Sequence, residues 1–281
     1  MYRELYRFGG VTFALESDAP LERSLVCEAF HVPDGVPDHT ICLRFSDALP
    51  TPPADALRRD DVFRWQAGAQ RHLLQWVSAP GDIPHFTYAV THGAHTDVIF
   101  ASAYRTGASV STALEAVGLF DVFAARGMLV LHSAYIVTSA GEAILFSGPS
   151  GVGKSTQAAL WERCAGARVV NGDRALVDVG KKTANGIFYS GTSGISENVT
   201  APVRAIVLLG QGSENRVFVP SPQAAFAGVL SQCAYYEWDA RSAEQMTECV
   251  ARLVSDVPVL RMDCLPNATA VETLHDQLGG I

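Results

Sequence analysis

The hydrophobic positions of this chain fall into two textures that change near residue 105. Before it, short runs rich in β-branched and aromatic residues recur: Val11 to Leu15, Thr40 to Phe45, Val62 to Trp65, His72 to Val77, Phe86 to Thr91 and Thr96 to Ala101. Turn-formers such as Pro33-Asp34-Gly35, Pro80-Gly81-Asp82 and His92-Gly93-Ala94-His95 separate them. Side chains of this kind fit a pleated, half-buried surface, so the pattern predicts a mainly antiparallel β module over residues 1–105.

After residue 105, helical periods with end signals alternate with short apolar strands. Thr112 and Glu115 have the spacing of a capping box, opening a helix that Gly127 would close. Ser221-Pro222 sets an N-cap ahead of a first-turn proline. Ser242 and Gln245 predict another helix start, and Met246, Cys249, Val250, Leu253 and Val254 then share one face. Asn267 opens a last helix, which Gly279-Gly280 ends. Strands are predicted at 128–137, 142–147, 167–171, 175–179, 203–209, 216–219 and 258–262, with Asn185-Gly186 as a hairpin turn. Intermixed strands and helices predict an α/β layer architecture for a second domain over 106–281.

Composition narrows the functional classes. The net charge of −8 gives no general attraction for nucleic acid or anionic membrane, so neither is an expected partner. Residues 1–125 hold 15 acidic and 9 basic groups, net −6; residues 126–281 hold 14 and 12, net −2. The second half therefore repels a polyanionic ligand less. The six cysteines show no CxxC or paired metal-ligand spacing, and MYRELYRFGG lacks the apolar stretch of a signal peptide, which points to free thiols in the cytoplasm. Only three lysines occur, Lys154, Lys181 and Lys182.

One of them lies in Gly148-Pro-Ser150-Gly151-Val152-Gly153-Lys154-Ser155-Thr156, a match to the GxxxxGK[ST] pattern of a phosphate-binding loop. Chance produces that pattern in about three such chains per thousand. An apolar strand (Ala143 to Phe146) leads in and a helical segment leads out, as the chemistry requires. Glycines at 148, 151 and 153 permit a loop whose N–H groups converge at the positive end of a helix dipole. On this reading the loop binds ATP: Lys154 reaches the β- and γ-phosphates and Ser155 is a ligand of Mg²⁺. Asp173, after the apolar pair Val169-Val170, is placed to hold the same metal, although a turn at Asn171-Gly172 also accounts for an aspartate there.

His132-Ser133 on a strand, the Gly148 to Thr156 loop and Gly172-Asp173-Arg174 together resemble the C-terminal domain of HPr kinase/phosphorylase and its phosphoenolpyruvate-carboxykinase-like relatives, over about 128–280. The resemblance implies an α/β P-loop kinase domain of that type and an ATP-dependent kinase acting on a hydroxyl, often a serine of a protein or peptide. HPr kinases carry adjacent aspartates at this strand end, the first regarded as general base and the second as metal partner. Here the first position is Gly172. Asp173 could serve both roles, since phosphoryl transfer is mostly positioning and charge neutralisation. His132 could act as base near neutral pH, or be a buried structural histidine. Glu197, beyond Ser190 to Gly194, could contribute from a loop.

Arg174 and Arg204 are candidates to neutralise the transferring phosphoryl group, or are structural ion pairs. Lys181 and Lys182 read as solvated, and Tyr235-Tyr236-Glu237-Trp238 reads as packing before recognition. The expected partners are ATP and a hydroxyl-bearing acceptor (protein, peptide or small molecule), and an oligomer is compatible with the sequence. A nucleotide-binding regulator without transfer, to which Gly172 lends weight, is the competing class. A small-metabolite kinase is a third, although no arginine-rich lid segment lies between 180 and 240.

Overall fold

The computed structural model describes residues 1–78 and 84–279, so the turn expected at Pro80-Gly81-Asp82 and Gly280, the second glycine expected to end the last helix, lie outside the described residues. The chain forms two compact units, Met1–Leu119 and Phe120–Ile281.

The first unit is built on one nine-stranded sheet. Its elements are β1 (Tyr2–Phe8), β2 (Val11–Ser17), a single turn α1 (Leu25–Glu28), β3 (His31–Val32), β4 (His39–Phe45), β5 (Leu57–Arg59), β6 (Val62–Ala67), β7 (Gln70–Ser78), β8 (Pro84–His92), β9 (His95–Phe100) and α2 (Val110–Glu115). The order across the sheet is β3-β1-β2-β4-β9-β8-β7-β6-β5. The sheet is mixed. After β2 the chain passes through α1 and β3, on the far side of β1, before β4 returns beside β2. β4 therefore runs parallel to β2, and β9 runs parallel to β4.

The second unit comprises α3 (Leu119–Ala124), β10 (Met128–Val137), β11 (Ala143–Ser147), α4 (Lys154–Ala165), β12 (Arg168–Asn171), β13 (Arg174–Asp178), β14 (Thr183–Asn185), β15 (Thr200–Gln211), β16 (Arg216–Phe218), α5 (Pro222–Leu230), α6 (Ala240–Asp256), β17 (Val259–Cys264) and α7 (Ala268–Gln277). Its architecture overturns the expected fold class. The chain is 38% strand and 26% helix, with a large mixed sheet and a five-stranded barrel, not the α/β P-loop kinase fold that the motifs implied.

Pairing in the sequence β11-β10-β13-β14-β15 closes on itself because β15 also pairs with β11. Two long strands make the closure. β10 uses its first half for β13 and its second half for β11 and β12. β15 pairs antiparallel with β14 through Thr200–Pro202, then parallel with β11 from Val203 onward.

Three local expectations change with it. Ser109, not Thr112, caps α2: its Oγ accepts the Thr112 backbone N–H at 3.2 Å. Gly118, at φ +63°, then separates α2 from α3, where one helix running to Gly127 was expected. Asp239 rather than Ser242 caps α6, accepting N–H groups of Arg241 and Ser242. The β13–β14 turn falls at 179–182, with Lys182 at φ +56°, and not at Asn185-Gly186. Asn185 is a buried strand residue, donating to the Leu176 carbonyl at 3.0 Å and accepting from Thr200 Oγ1 at 2.8 Å.

Alternation along β11 and β15 divides the core of this unit. Leu145, Ile206 and Leu208 face a cluster completed by Val229, Met246, Val250 and Leu253 of α5 and α6. Ile144, Phe146, Val207 and Leu209 face Leu160 and Trp161 of α4 and Val271 and Leu274 of α7. Apolar side chains on both faces hold β11 rigidly, and β11 carries the Gly148 loop at its end.

Candidate phosphate-binding cleft

The Gly148 to Gly153 loop connects the end of β11 to the start of α4, as the strand-loop-helix spacing required. Its backbone needs glycine. Gly148, Gly151 and Gly153 sit at φ +145°, +78° and +111°, where an L side chain is strained. At Gly148 a Cβ would also come within 3.1 Å of Val152 Cγ1 and 3.3 Å of the Leu209 carbonyl.

α4 is also distinctive at its N-terminus. α5, α6 and α7 are capped by the side chains of Ser221, Asp239 and Asn267, whereas Gly153 offers α4 none. The first N–H groups of α4 therefore lack a side-chain cap and can bind an anion.

Lys154 is buried, and its Nζ donates to the Gly148 and Pro149 carbonyls at 2.9 and 3.0 Å. Burial pushes its ammonium below the ordinary lysine value, and the Asp173 carboxylate acts in the opposite sense. The ammonium thus braces the loop from within.

Asp173 reaches the same place from the other side. A cleft of about 300 Å³ is lined by Ser150, Gly151, Gly153, Lys154, Ser155 and Thr156 from the loop and helix, and also by His132, Gly172, Asp173, Thr192 and Ser193. The candidates His132, the loop residues and Asp173, well separated in sequence, thus converge on one cavity. Within it Asp173 Oδ2 lies 3.2 Å from Arg174 Nε, and Asp173 Oδ1 lies 3.7 Å from His132 Nε2. The Arg174 guanidinium stands 5.4 Å above the Tyr189 ring. His132 is held below the ordinary histidine value, first by burial and then by the charge of Lys154, while Asp173 opposes the shift. Its imidazole is therefore neutral near pH 7 and able to accept a proton.

No protein-family model and no curated protein matches this chain.

Other candidates lie elsewhere. Arg204 sits near the beginning of β15, where it donates to the Leu278 carbonyl and lies 3.7 Å from Glu142. Glu142 precedes β11, and β15 is parallel to β11, so Arg204 is at the end of the sheet away from the loop. Glu197 pairs with Arg168 at 2.6 Å, at the start of β12 and outside the cleft lining. Lys181 and Lys182 are exposed and pair with Asp178 and Asp256. Tyr236 packs against Phe120 and Trp238.

Two features of the cleft were missed from the sequence. Asn171, fully buried, holds the Asp173 turn: its Oδ1 accepts the N–H groups of Asp173 and Arg174, each at 2.9 Å. The other feature is the turn Ser190 to Gly194, folded over the aspartate. A Cβ at Gly191 (φ +53°) would stand 2.8 Å from Asp173 Cβ and Cγ.

Within the same turn, Ser193 takes the space that a side chain at 172 would need. A Cβ at Gly172 would collide with Ser193 Oγ and lie 2.6 Å from Ser193 Cβ. Gly172→Ala is therefore expected to destabilise the second unit by about 1–3 kcal/mol through overpacking. In a Ser193→Gly background the same change should cost at least about 0.5 kcal/mol less, a coupling measured by a double-mutant cycle of denaturant melts. Additive costs would mean that residues 172 and 193 do not compete for one space.

Proposed function

We propose that this cleft binds ATP with Mg²⁺ and transfers the γ-phosphoryl group to a hydroxyl of a protein, peptide or small molecule. The observation that carries the reading is the convergence of Lys154, Ser155 and Asp173 on one cleft beneath a helix N-terminus without a side-chain cap. The site residues resemble those of HPr kinases, and the hydroxyl acceptor is the class that this resemblance suggests.

In this mechanism the loop N–H groups hold the phosphates, and Lys154 turns from the Gly148 and Pro149 carbonyls to the β- and γ-phosphates. The Ser155 hydroxyl and Asp173 carboxylate are hard oxygen donors, which suit Mg²⁺. The ion would neutralise charge on the transferred group. The acceptor hydroxyl orients toward Asp173, and its proton passes to Asp173 or to the neutral His132 imidazole. Arg174, beside Asp173, adds positive charge at the reacting end. Thr192 and Ser193 help to exclude water from above.

No helix among the described residues is long and apolar enough to cross a membrane. Its six free cysteines support a cytoplasmic setting.

A regulatory protein that binds nucleotide without transferring phosphate is the second reading. It is favoured by Ser193 filling the space of a side chain at 172, which leaves one carboxylate where a kinase of the resembled kind has two. Incubation of the full chain with γ-labelled ATP, Mg²⁺ and a panel of serine and threonine peptides and small polyols separates the two. Label in an acceptor supports transfer. Nucleotide binding with no labelled acceptor overturns it in favour of the regulator, and a lack of nucleotide binding overturns both.

A further inference from the structure

A second group of reactive side chains lies on the first unit. β2, β4 and β9 are adjacent parallel strands whose register sets Glu16 opposite Cys42 and Cys42 opposite Asp97. Residues two apart in a strand share a face, so His95 stands on the same side as Asp97. The opposite face carries the buried Leu15, Ile41 and Val98. Core packing on that face fixes the register, and with it the row of Glu16, Cys42 and Asp97.

The ligand atoms of Cys42, His95 and Asp97 all lie within 4.8 Å of one another. His95 Nε2 is 3.4 Å from Asp97 Oδ1, and the Cys42 thiol donates to Glu16 Oε2 at 3.5 Å. Cys42 is partly buried, while His95 and Asp97 are open to solvent.

We propose that Cys42, His95 and Asp97 bind one Zn²⁺ ion on the outer face of this sheet, with water in the fourth position. The donor set decides the metal. A thiolate and an imidazole select a borderline-soft ion, and Mg²⁺ or Ca²⁺ would want oxygen alone. Bond lengths of about 2.3 Å to sulfur and about 2.1 Å to nitrogen place tetrahedral donors about 3.6 Å apart. No two of the three ligand atoms lie farther than 4.8 Å apart, so they have to close by about 1 Å to reach that spacing. Binding exchanges the Cys42 S–H for a Zn–S bond, and Glu16, already the acceptor of that hydrogen, passes the proton to solvent. Glu16 and Asp97 set two carboxylates on either side of Cys42, an arrangement that a bound cation stabilises.

The test titrates the full, metal-stripped chain with Co²⁺ and follows the thiolate-to-cobalt charge-transfer absorption, then displaces Co²⁺ with Zn²⁺. One equivalent should develop the band, and Cys42→Ser should abolish it. His95→Ala and Asp97→Asn, both at exposed positions, should each weaken binding by at least about tenfold with unchanged thermal melts of the stripped protein. Cys164→Ser, at an exposed cysteine elsewhere, should leave the band intact. Absence of the band in the wild type, its survival in Cys42→Ser, or its loss in Cys164→Ser overturns the site. Binding unchanged in both His95→Ala and Asp97→Asn does so as well.

Discussion

Replacing Lys154 with alanine is expected to reduce phosphoryl transfer by at least about 10²–10³-fold, the scale for losing one preorganised donor to developing charge. Two properties of the residue combine to give this size. Its ammonium is the one cationic group supplied by the loop itself, and it is buried, so its field acts through little water. The fold should survive. The variant gives up hydrogen bonds to the Gly148 and Pro149 carbonyls, but it also removes a buried ammonium whose desolvation opposes folding. A net change within about 2 kcal/mol would move the melting temperature by only a few degrees. Lys154→Arg should not restore the rate, because a planar fork cannot take the place of a compact ammonium inside so tight a loop. Initial rates with γ-labelled ATP, paired with thermal melts, provide the check. A Lys154→Ala protein transferring phosphate at the wild-type rate would sink the assignment of the loop.

The part of this site that was legible in the sequence is the part whose backbone geometry demands particular residues at particular spacings. Gly148, Gly151 and Gly153 could be read because the loop needs positive φ at those steps, and Lys154 because its place in the loop is set by number. Strand positions in the second unit were legible for a similar reason. Runs such as Met128 to Leu131 and Ala143 to Phe146 are buried on both faces and so are continuously apolar.

Pairing is a different matter. Nothing local in β15 says that one edge will meet β14 and the other β11, and that double use turns an expected layered α/β arrangement into a closed ring. Arg204 shows the same difficulty in a single residue. It heads an apolar strand, but whether the head lies near the loop depends on the direction of β15 against β11. Parallel pairing puts it at the far end. Asn185 misled for a local reason: Asn-Gly is a strong turn signal, yet the Asn185 amide is consumed by two strand partners. Ser193 could not be assigned to Gly172 at all, since the two meet only after β14 and the following turn have folded back.

Asn171 should show the largest effect on stability. Its Oδ1 accepts two backbone N–H groups at 2.9 Å, and its Nδ2 donates to the Ile187 carbonyl at 2.9 Å, the Tyr189 carbonyl at 2.8 Å and Ser196 Oγ at 3.2 Å. One amide thus joins the Asp173 turn to the segment that leads into the Ser190 to Gly194 turn. Asn171→Ala strands several of these groups where the side chain is fully buried, and each costs about 1–3 kcal/mol when unsatisfied. Part of that is recovered by water at the half-exposed Asp173 and Arg174. A net loss of about 3–4 kcal/mol, or about 10 °C in melting temperature, is expected.

Asn171→Asp separates hydrogen bonding from shape. The carboxylate keeps the acceptor for Asp173 and Arg174 but turns its second oxygen toward the Ile187 and Tyr189 carbonyls, where a donor is needed. Burial and those carbonyls both disfavour the charged form, so the pKa of the new carboxyl is raised in the folded state. A protonated carboxyl can donate to one carbonyl, which makes the penalty smallest at low pH. Stability relative to wild type should therefore be highest below the unfolded carboxylate value and fall as pH rises through the folded one. Melts of both variants from acid to neutral pH measure this. If Asn171→Asp matches wild type at pH 7, or Asn171→Ala loses less than about 1 kcal/mol, the amide does not hold these segments together.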